Sequence, residues 1–173
     1  VREGPGVREP ATAPLIEGIE PEFLARVRDG MYGVCNEPGA TAMRAGALEL
    51  VRDPGSGAAV PATTENRGWQ PVQIAGKTGT AQVRIISAAE RASGVRSNAS
   101  LDWRMRDNAL FCCFGPWHEP RYACAVVVEH GGGGSAVAGP IAREIMRATL
   151  LRDSSRRPPA SLAALEPPVR GQA

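Results

Sequence analysis

Ile74-Ala75-Gly76-Lys77-Thr78-Gly79-Thr80-Ala81-Gln82-Val83 sets one cation and two hydroxyls beside two glycines in an extended segment, the composition of an anion site. The chain holds 19 arginines and a single lysine, Lys77, so the compact, titratable ammonium stands only here. Lysine can sit beside a nucleophile and shift its pKa, which a guanidinium cannot. Strand alternation predicts Lys77 and Gly79 on one face and Thr78 and Thr80 on the other, unless local twist brings them together. Gly79 lacks a Cβ and is expected to leave a gap where a ligand approaches the backbone. Gly76-Lys77-Thr78 also matches the end of a P-loop, but the first glycine of that motif falls on Pro71, which excludes it. The plainer alternative is an edge strand with a solvated lysine.

Composition fits a globular chain: 173 residues, 43% apolar, net charge +2. The surplus charge is local, since from Arg152 onward four arginines oppose two acids. Residues 1–151 are neutral on balance, so no basic footprint points to nucleic acid. There is no run of about 18 apolar residues and no charged-then-apolar start, hence no membrane span or signal peptide is expected in this chain. The first residue, Val1, reads as the middle of a sequence, and an N-terminal portion is expected to precede it. Cys35, Cys112, Cys113 and Cys124 show no zinc or thioredoxin spacing, and no metal or cofactor is expected. Three of them lie in apolar runs and read as small buried side chains. In an oxidising compartment Cys124 could bridge to Cys112 or Cys113.

Residues 1–19 read as linker or loop. From Pro21, apolar residues Phe23, Leu24, Val27, Met31, Val34 and Cys35 recur at helical spacing. A short helical piece is predicted around Thr41 to Val51, a turn over Asp53 to Gly57, and irregular chain from 58 to 71. A first strand is predicted over Val72 to Arg84, then a short helix over Ile85 to Ala92 and a long loop to 107. Ala109 to Phe114 and Tyr122 to Glu129 are apolar almost without alternation, which predicts two strands covered on both faces. The turn-rich segment Gly115 to Pro120 makes them an antiparallel hairpin, and its His118 reads as solvated. Gly131 to Gly134 read as a flexible connection into a last helix, Ala136 to Leu151, with Val137, Ile141, Ile145 and Ala148 on its packed face. A disordered tail is expected over 152–173, Arg156-Arg157 included. The elements make an α+β unit whose apolar strands want further cover and an edge partner.

Lys-Thr-Gly is one motif of penicillin-binding proteins and serine β-lactamases. Met31 to Asn36, Thr41-Ala42, Ala75 to Val83, Asn108 to Pro116, Tyr122 to Gly134 and Pro140 to Ile145 follow one another as in a class B penicillin-binding protein. Over roughly residues 20 to 150 the chain resembles the C-terminal part of that family's transpeptidase domain. The resemblance implies an antiparallel sheet with helices packed on it, of which this chain supplies the last three strands and the C-terminal helix. It implies a peptidoglycan D,D-transpeptidase acting in cell-wall synthesis and cell shape, at the periplasmic face of the bacterial inner membrane. The implied ligand is a stem peptide or a β-lactam, and the implied partners are proteins of cell elongation.

By the same resemblance, Lys77 supports the catalytic hydrogen-bond network and favours the substrate carboxylate, which the Thr78 and Thr80 hydroxyls bind beside Gly79. The Thr80 N–H is one of two oxyanion donors. The family's nucleophile and base, the Ser and Lys of Ser-x-x-Lys, are absent: the residue three before Lys77 is Ile74. Ser-x-Asn is absent too, and Ser100-Leu101-Asp102, of similar outline, follows the Lys-Thr-Gly segment in the wrong order. His130 after Glu129 fits the family pattern and is expected to fix a strand end. Asp107-Asn108 stands where family members often have Asp-His. Without a nucleophile the alternative is a non-catalytic relic that acts as a binding module in cell-wall synthesis.

Overall fold

The structure, a computed structural model, describes residues 18–153. The linker expected over 1–19 and the tail expected over 152–173, with Arg156-Arg157, fall almost entirely outside the described residues. Helix α1, Pro21–Asn36, opens on the proline that sequence placed there, with Glu22 in its first turn where a carboxylate meets the positive helix end. Its last residue ties it to the sheet: Asn36 Nδ2 donates to the carbonyl of Ile74 at 2.9 Å and to that of Tyr32 at 2.9 Å.

A single short turn of helix follows, α2, Met43–Gly46. Only glycine fits at its end, since a Cβ on Gly46 would collide with the Cys35 carbonyl. The predicted helix to Val51 therefore stops early, and Leu50–Arg52 is a strand, β1. Ala59–Pro61, expected to be irregular, is its antiparallel partner β2. The turn between them is built by Asp53, whose Oδ1 accepts from the Ser56 N–H at 2.6 Å and hydroxyl at 2.7 Å. Those bonds hold the buried Asp53 carboxyl below the usual carboxylate range.

The main sheet has the order β3-β4-β5, antiparallel throughout: Ala75–Ala81, Asn108–Gly115 and Tyr122–Val128. The first strand is shorter than the predicted Val72 to Arg84. Helix α3, Ala88–Ser93, sits three residues later than its predicted start. Its signal is in the sequence as Ser87-x-x-Glu90, a capping-box pattern, and Ser87 Oγ indeed accepts from the Glu90 N–H at 3.1 Å. Helix α4, Gly139–Leu151, is preceded by a π-helical turn over Gly134–Ala138.

One core joins these elements. Phe111, 1% exposed, is its largest side chain, and Cys35, Ala45, Ile74, Ala109, Cys113, Ala138, Ala142 and Met146 are buried with it. The packed stripe of α4 is Ala142, Met146 and Leu150, one position on from the predicted face. Ile141 and Ile145 remain 43% and 45% exposed. A stripe of small and large residues at spacing 4 won over the β-branched pair because the helix lies close on the sheet: Gly139 approaches both Ala45 and Phe111.

The expectation that both later strands are covered on both faces is corrected. In β4 the odd positions Ala109, Phe111, Cys113 and Gly115 are buried, while Cys112 is exposed. In β5 exposure alternates along the whole strand, and Val127 is 62% exposed. Helix α1 likewise leaves Phe23, Leu24 and Val27 more than half exposed. Among the described residues β5 pairs only with β4, so its outer edge is open. An apolar face beside an open edge favours association between chains. The 173-residue chain on its own is expected to self-associate at micromolar concentration. A monomer in sedimentation, with slow amide exchange in Tyr122–Val128 on both edges, would contradict this.

Candidate functional site: the Lys-Thr-Gly edge strand

Register fixes the side chains of the quoted stretch. Lys77 lies opposite Cys112 and Gly79 opposite Leu110, on one face; Thr78 lies opposite Phe111 and Thr80 opposite Ala109, on the other. The alternation expected from sequence holds, and Lys77 and Thr80 are both exposed. The strand's edge is what reunites them. Among the described residues β3 pairs only with β4, so its other side carries main-chain groups without a ladder partner. The Thr78 carbonyl accepts from Lys77 Nζ at 2.8 Å and points away from β4. Antiparallel strands alternate in this respect, so the N–H and C=O of Thr80 point the same way. The ammonium of Lys77 and the N–H of Thr80 therefore lie on one edge, with the Thr78 and Thr80 side chains on the face away from the lysine's.

Gly79 lies close against its strand partner: a Cβ there would be 3.2 Å from Leu110 Cβ. Gly134, the first residue of the π turn, rests on the same peptide row. A Cβ on Gly134 would collide with the carbonyl oxygens of Gly79 and Leu110. Gly132 and Gly134 are buried, so the glycine run is a packed segment rather than a flexible connection. Sequence reasoning missed this role. The available signal was four consecutive glycines next to a strand, which can mark close backbone approach as well as mobility.

The turn is anchored by His130, as sequence suggested. His130 takes a left-handed φ of 55°. Its N–H donates to Asn108 Oδ1 at 2.8 Å, its Nδ1 lies 3.1 Å from the Arg106 carbonyl, and Trp103 packs edge-on at 4.7 Å between ring centroids. Asp107 and Asn98 close a reciprocal pair, Asp107 N–H to Asn98 Oδ1 at 2.8 Å and Asn98 Nδ2 to Asp107 Oδ2 at 3.1 Å. The Gly132 N–H donates to the Asp107 carbonyl at 2.8 Å. Every one of these bonds is structural, and none leaves His130 aimed at Lys77. The segment after β3 is clasped by a bidentate pair, Arg84 to Glu90 at 2.7 and 2.8 Å. The Arg84 guanidinium holds the Glu90 carboxyl down at about 2.

The remaining candidates lie apart from the edge. His118 is exposed and meets Gln70 Nε2 at 2.9 Å, in a cleft shared with Gln73 and Pro116 that includes none of Lys77 to Thr80. All four cysteines are free. Cys35 and Cys113 are buried, but Cys124 is only half-buried and Cys112 is exposed because it falls on the open face. Among the described residues no cluster of His, Cys, Asp or Glu has the arrangement of a metal site.

Comparison with known proteins adds identity to this geometry. The family model described as the penicillin binding protein transpeptidase domain matches residues 17–147. The chain is 31% identical over 152 residues to the peptidoglycan D,D-transpeptidase MrdA of Escherichia coli K12, covering 88% of this chain and 20% of that protein. Among solved structures, Pseudomonas aeruginosa PBP2 in complex with WCK 5153 is similar at 31% identity and a TM-score of 0.49, over 83% of this chain and 22% of that one. PBP2 of Helicobacter pylori in complex with MreC is similar at 27% identity and a TM-score of 0.48, over 76% and 18%. The chain thus spans 20% of the length of the Escherichia coli relative.

The contact between Gly134 and Gly79 gives a sharp test. Gly134→Ala adds one methyl group against two carbonyl oxygens that belong to a sheet row and cannot swing aside. Overpacking of this kind costs about 1–3 kcal/mol or more. The variant is expected to lower the urea midpoint with the m-value unchanged, whereas Gly94→Ala, with no atom within 4 Å of the added group, reports only the backbone cost of its φ of 104°. Equal losses in the two variants would show that the Gly134 contact is unimportant.

Proposed function

The chain belongs to the penicillin-binding protein transpeptidase family, and from that premise we propose that β3 is the carboxylate-anchoring edge of a peptidoglycan D,D-transpeptidase of which this chain forms part. The observation that carries the reading is the placement of the Lys77 ammonium and the Thr80 N–H on the unpaired side of β3. An extended acyl-D-amino acid laid along that edge meets main-chain donors and acceptors at strand spacing, as in strand addition. Its carboxylate takes hydrogen bonds from the Thr78 and Thr80 hydroxyls, with Lys77 supplying the positive charge. Bonds to a charged acceptor are worth about 1.5–3 kcal/mol each.

In this reading the Thr80 N–H serves the oxyanion that forms when the ligand's carbonyl is attacked. The attacking serine and its lysine come from outside these residues. Lys77 is the only lysine and Ile74 stands three before it, so no Ser-x-x-Lys is present in the 173 residues. The ligand classes that fit are a peptidoglycan stem peptide and a β-lactam, both acyl donors with a carboxylate beside the reactive carbonyl. Work at the periplasmic face of the membrane, together with proteins of cell elongation, follows from the family reading. No helix of the described residues is long and apolar enough to cross a membrane. The absence of Ser-x-x-Lys favours one second reading, a module that holds carboxylate ligands without turning them over.

A fluorescent penicillin separates the two readings. The chain alone is expected to form no covalent adduct, and label on one of its serines after boiling in detergent would overturn the assignment. Joined to a family segment that supplies Ser-x-x-Lys and Ser-x-Asn, it is expected to be acylated; failure of a folded chimera favours the non-catalytic module. In that chimera Lys77→Arg keeps the charge but not the compact donor, so acylation should fall at least about tenfold with little change in Tm. Unchanged acylation would make Lys77 a solvated edge residue.

A further inference from the structure

Residues Cys113 and Cys124 stand directly opposite each other across β4 and β5, in the same cross-sheet row as Gly76. We propose that they are a thiol pair that closes to a cross-strand disulfide by exchange with a small-molecule disulfide. Three observations select this pair. Both side chains lie on the core-facing side of the sheet, Cys113 3% exposed and Cys124 half-buried. Cys112 pairs with Ala125 instead and is exposed on the opposite face, which takes it out of reach of Cys124. The row also has the required spacing. Because the Thr78 carbonyl is turned away from β4, so by alternation are the main-chain groups of Gly76; its partner Cys113 turns its own toward β5, and the Cys113–Cys124 pair is of the hydrogen-bonded type. Such pairs have Cα atoms about 5.5 Å apart, within the range of about 4.4–6.8 Å that disulfides occupy.

The exchange runs in two steps. The Cys124 thiolate, on the accessible side of the row, attacks one sulfur of the reagent R–S–S–R, breaking that bond, joining R–S to Cys124 and releasing R–S⁻. The Cys113 thiolate then attacks the Cys124 sulfur, breaks the mixed disulfide and releases the second R–S⁻. The two protons leave the cysteines and end on the two R–SH. The pair loses two electrons and the reagent gains them. Burial pushes the Cys113 thiol up to about 12, so its thiolate is scarce and the second step is the slow one. Closure tethers β4 to β5 in the row that ends one residue before Lys77, and leaves Cys35 and Cys112 as thiols.

The test uses the whole chain carrying Cys112→Ser, reduced, freed of reductant and incubated with oxidised glutathione, then quenched, alkylated and digested with trypsin. Cleavage at Arg106, Arg121 and Arg143 places Cys113 and Cys124 on separate peptides. The expected product is one linked pair of those peptides, lighter by two hydrogens than their sum, with Cys35 alkylated. A glutathione adduct on Cys124 should appear first and then be consumed. The wild-type chain run in parallel, with the linked peptide fragmented, keeps the result independent of the substitution. An adduct at Cys124 that persists, a Cys35–Cys113 link, a link through Cys112, or free thiols at both positions would overturn the proposal. So would the same link at equal yield in the chain unfolded in urea, since pairing would then need no sheet.

Discussion

An edge strand has to dispose of the main-chain groups that no neighbouring strand accepts, and β3 disposes of them one by one. Asn36 at the end of α1 donates to the Ile74 carbonyl just before the strand, and the Thr78 carbonyl is occupied by the ammonium of Lys77. One step further along, the groups of Thr80 project beyond the sheet. Closed at the end nearest α1 and open at the other, the same edge is scaffold and candidate site in turn. A fourth strand on that side would occupy all three residues alike, and so the strand order β3-β4-β5, with β3 outermost, is the condition on which the site depends.

Behind that edge the packing is carried by small residues. Gly134 lies on the Gly79–Leu110 row, Gly139 approaches Ala45 and Phe111, and Gly46 fits against Cys35. Side chains at these points would lift the π turn and α4 away from the sheet, and Phe111 would lose part of the cover that buries it. Close approach of backbones leaves few adjustable atoms, so the position of the Thr78–Thr80 segment is set by main-chain contacts rather than by side chains that can change rotamer. His130 extends this by holding the turn from the far side, through Asn108 and Arg106. A positioned edge suits a site whose donors must already stand where charge develops.

Much of this was legible in the sequence where a rule of period applies. Alternation gave the faces of Lys77 and Thr78, the apolar runs gave β4 and β5, and the turn-rich segment between them gave the hairpin. What escaped was whatever depends on a neighbour. Spacing alone puts Val137, Ile141, Ile145 and Ala148 on the packed face of α4, yet proximity to the sheet selects Ala142, Met146 and Leu150. Leu50–Arg52 and Ala59–Pro61 are too short to show a period, and only their mutual pairing makes them strands. Gly131 to Gly134 read as slack because composition cannot distinguish a glycine needed for freedom from one needed for closeness. The stretch Lys77 to Thr80 stands out by the sole lysine of the chain beside two hydroxyls, and the resemblance supplies the roles; their placement along one edge needs the register.

The exposure pattern bears on what the open face is for. A strand that faces water on one side normally alternates apolar with polar residues, and β5 does not: Ala123, Ala125 and Val127 occupy its exposed positions. Each is smaller or less polar than a solvated strand requires, and none carries a charge that would discourage pairing at the edge. The opposite choice is made on the exposed side of α4, where Arg143, Glu144 and Arg147 stand among the isoleucines. Two surfaces of one chain thus follow different rules. The charged one suits water, and the uncharged one, continuous with the edge of β5 that is open among the described residues, carries nothing that discourages pairing.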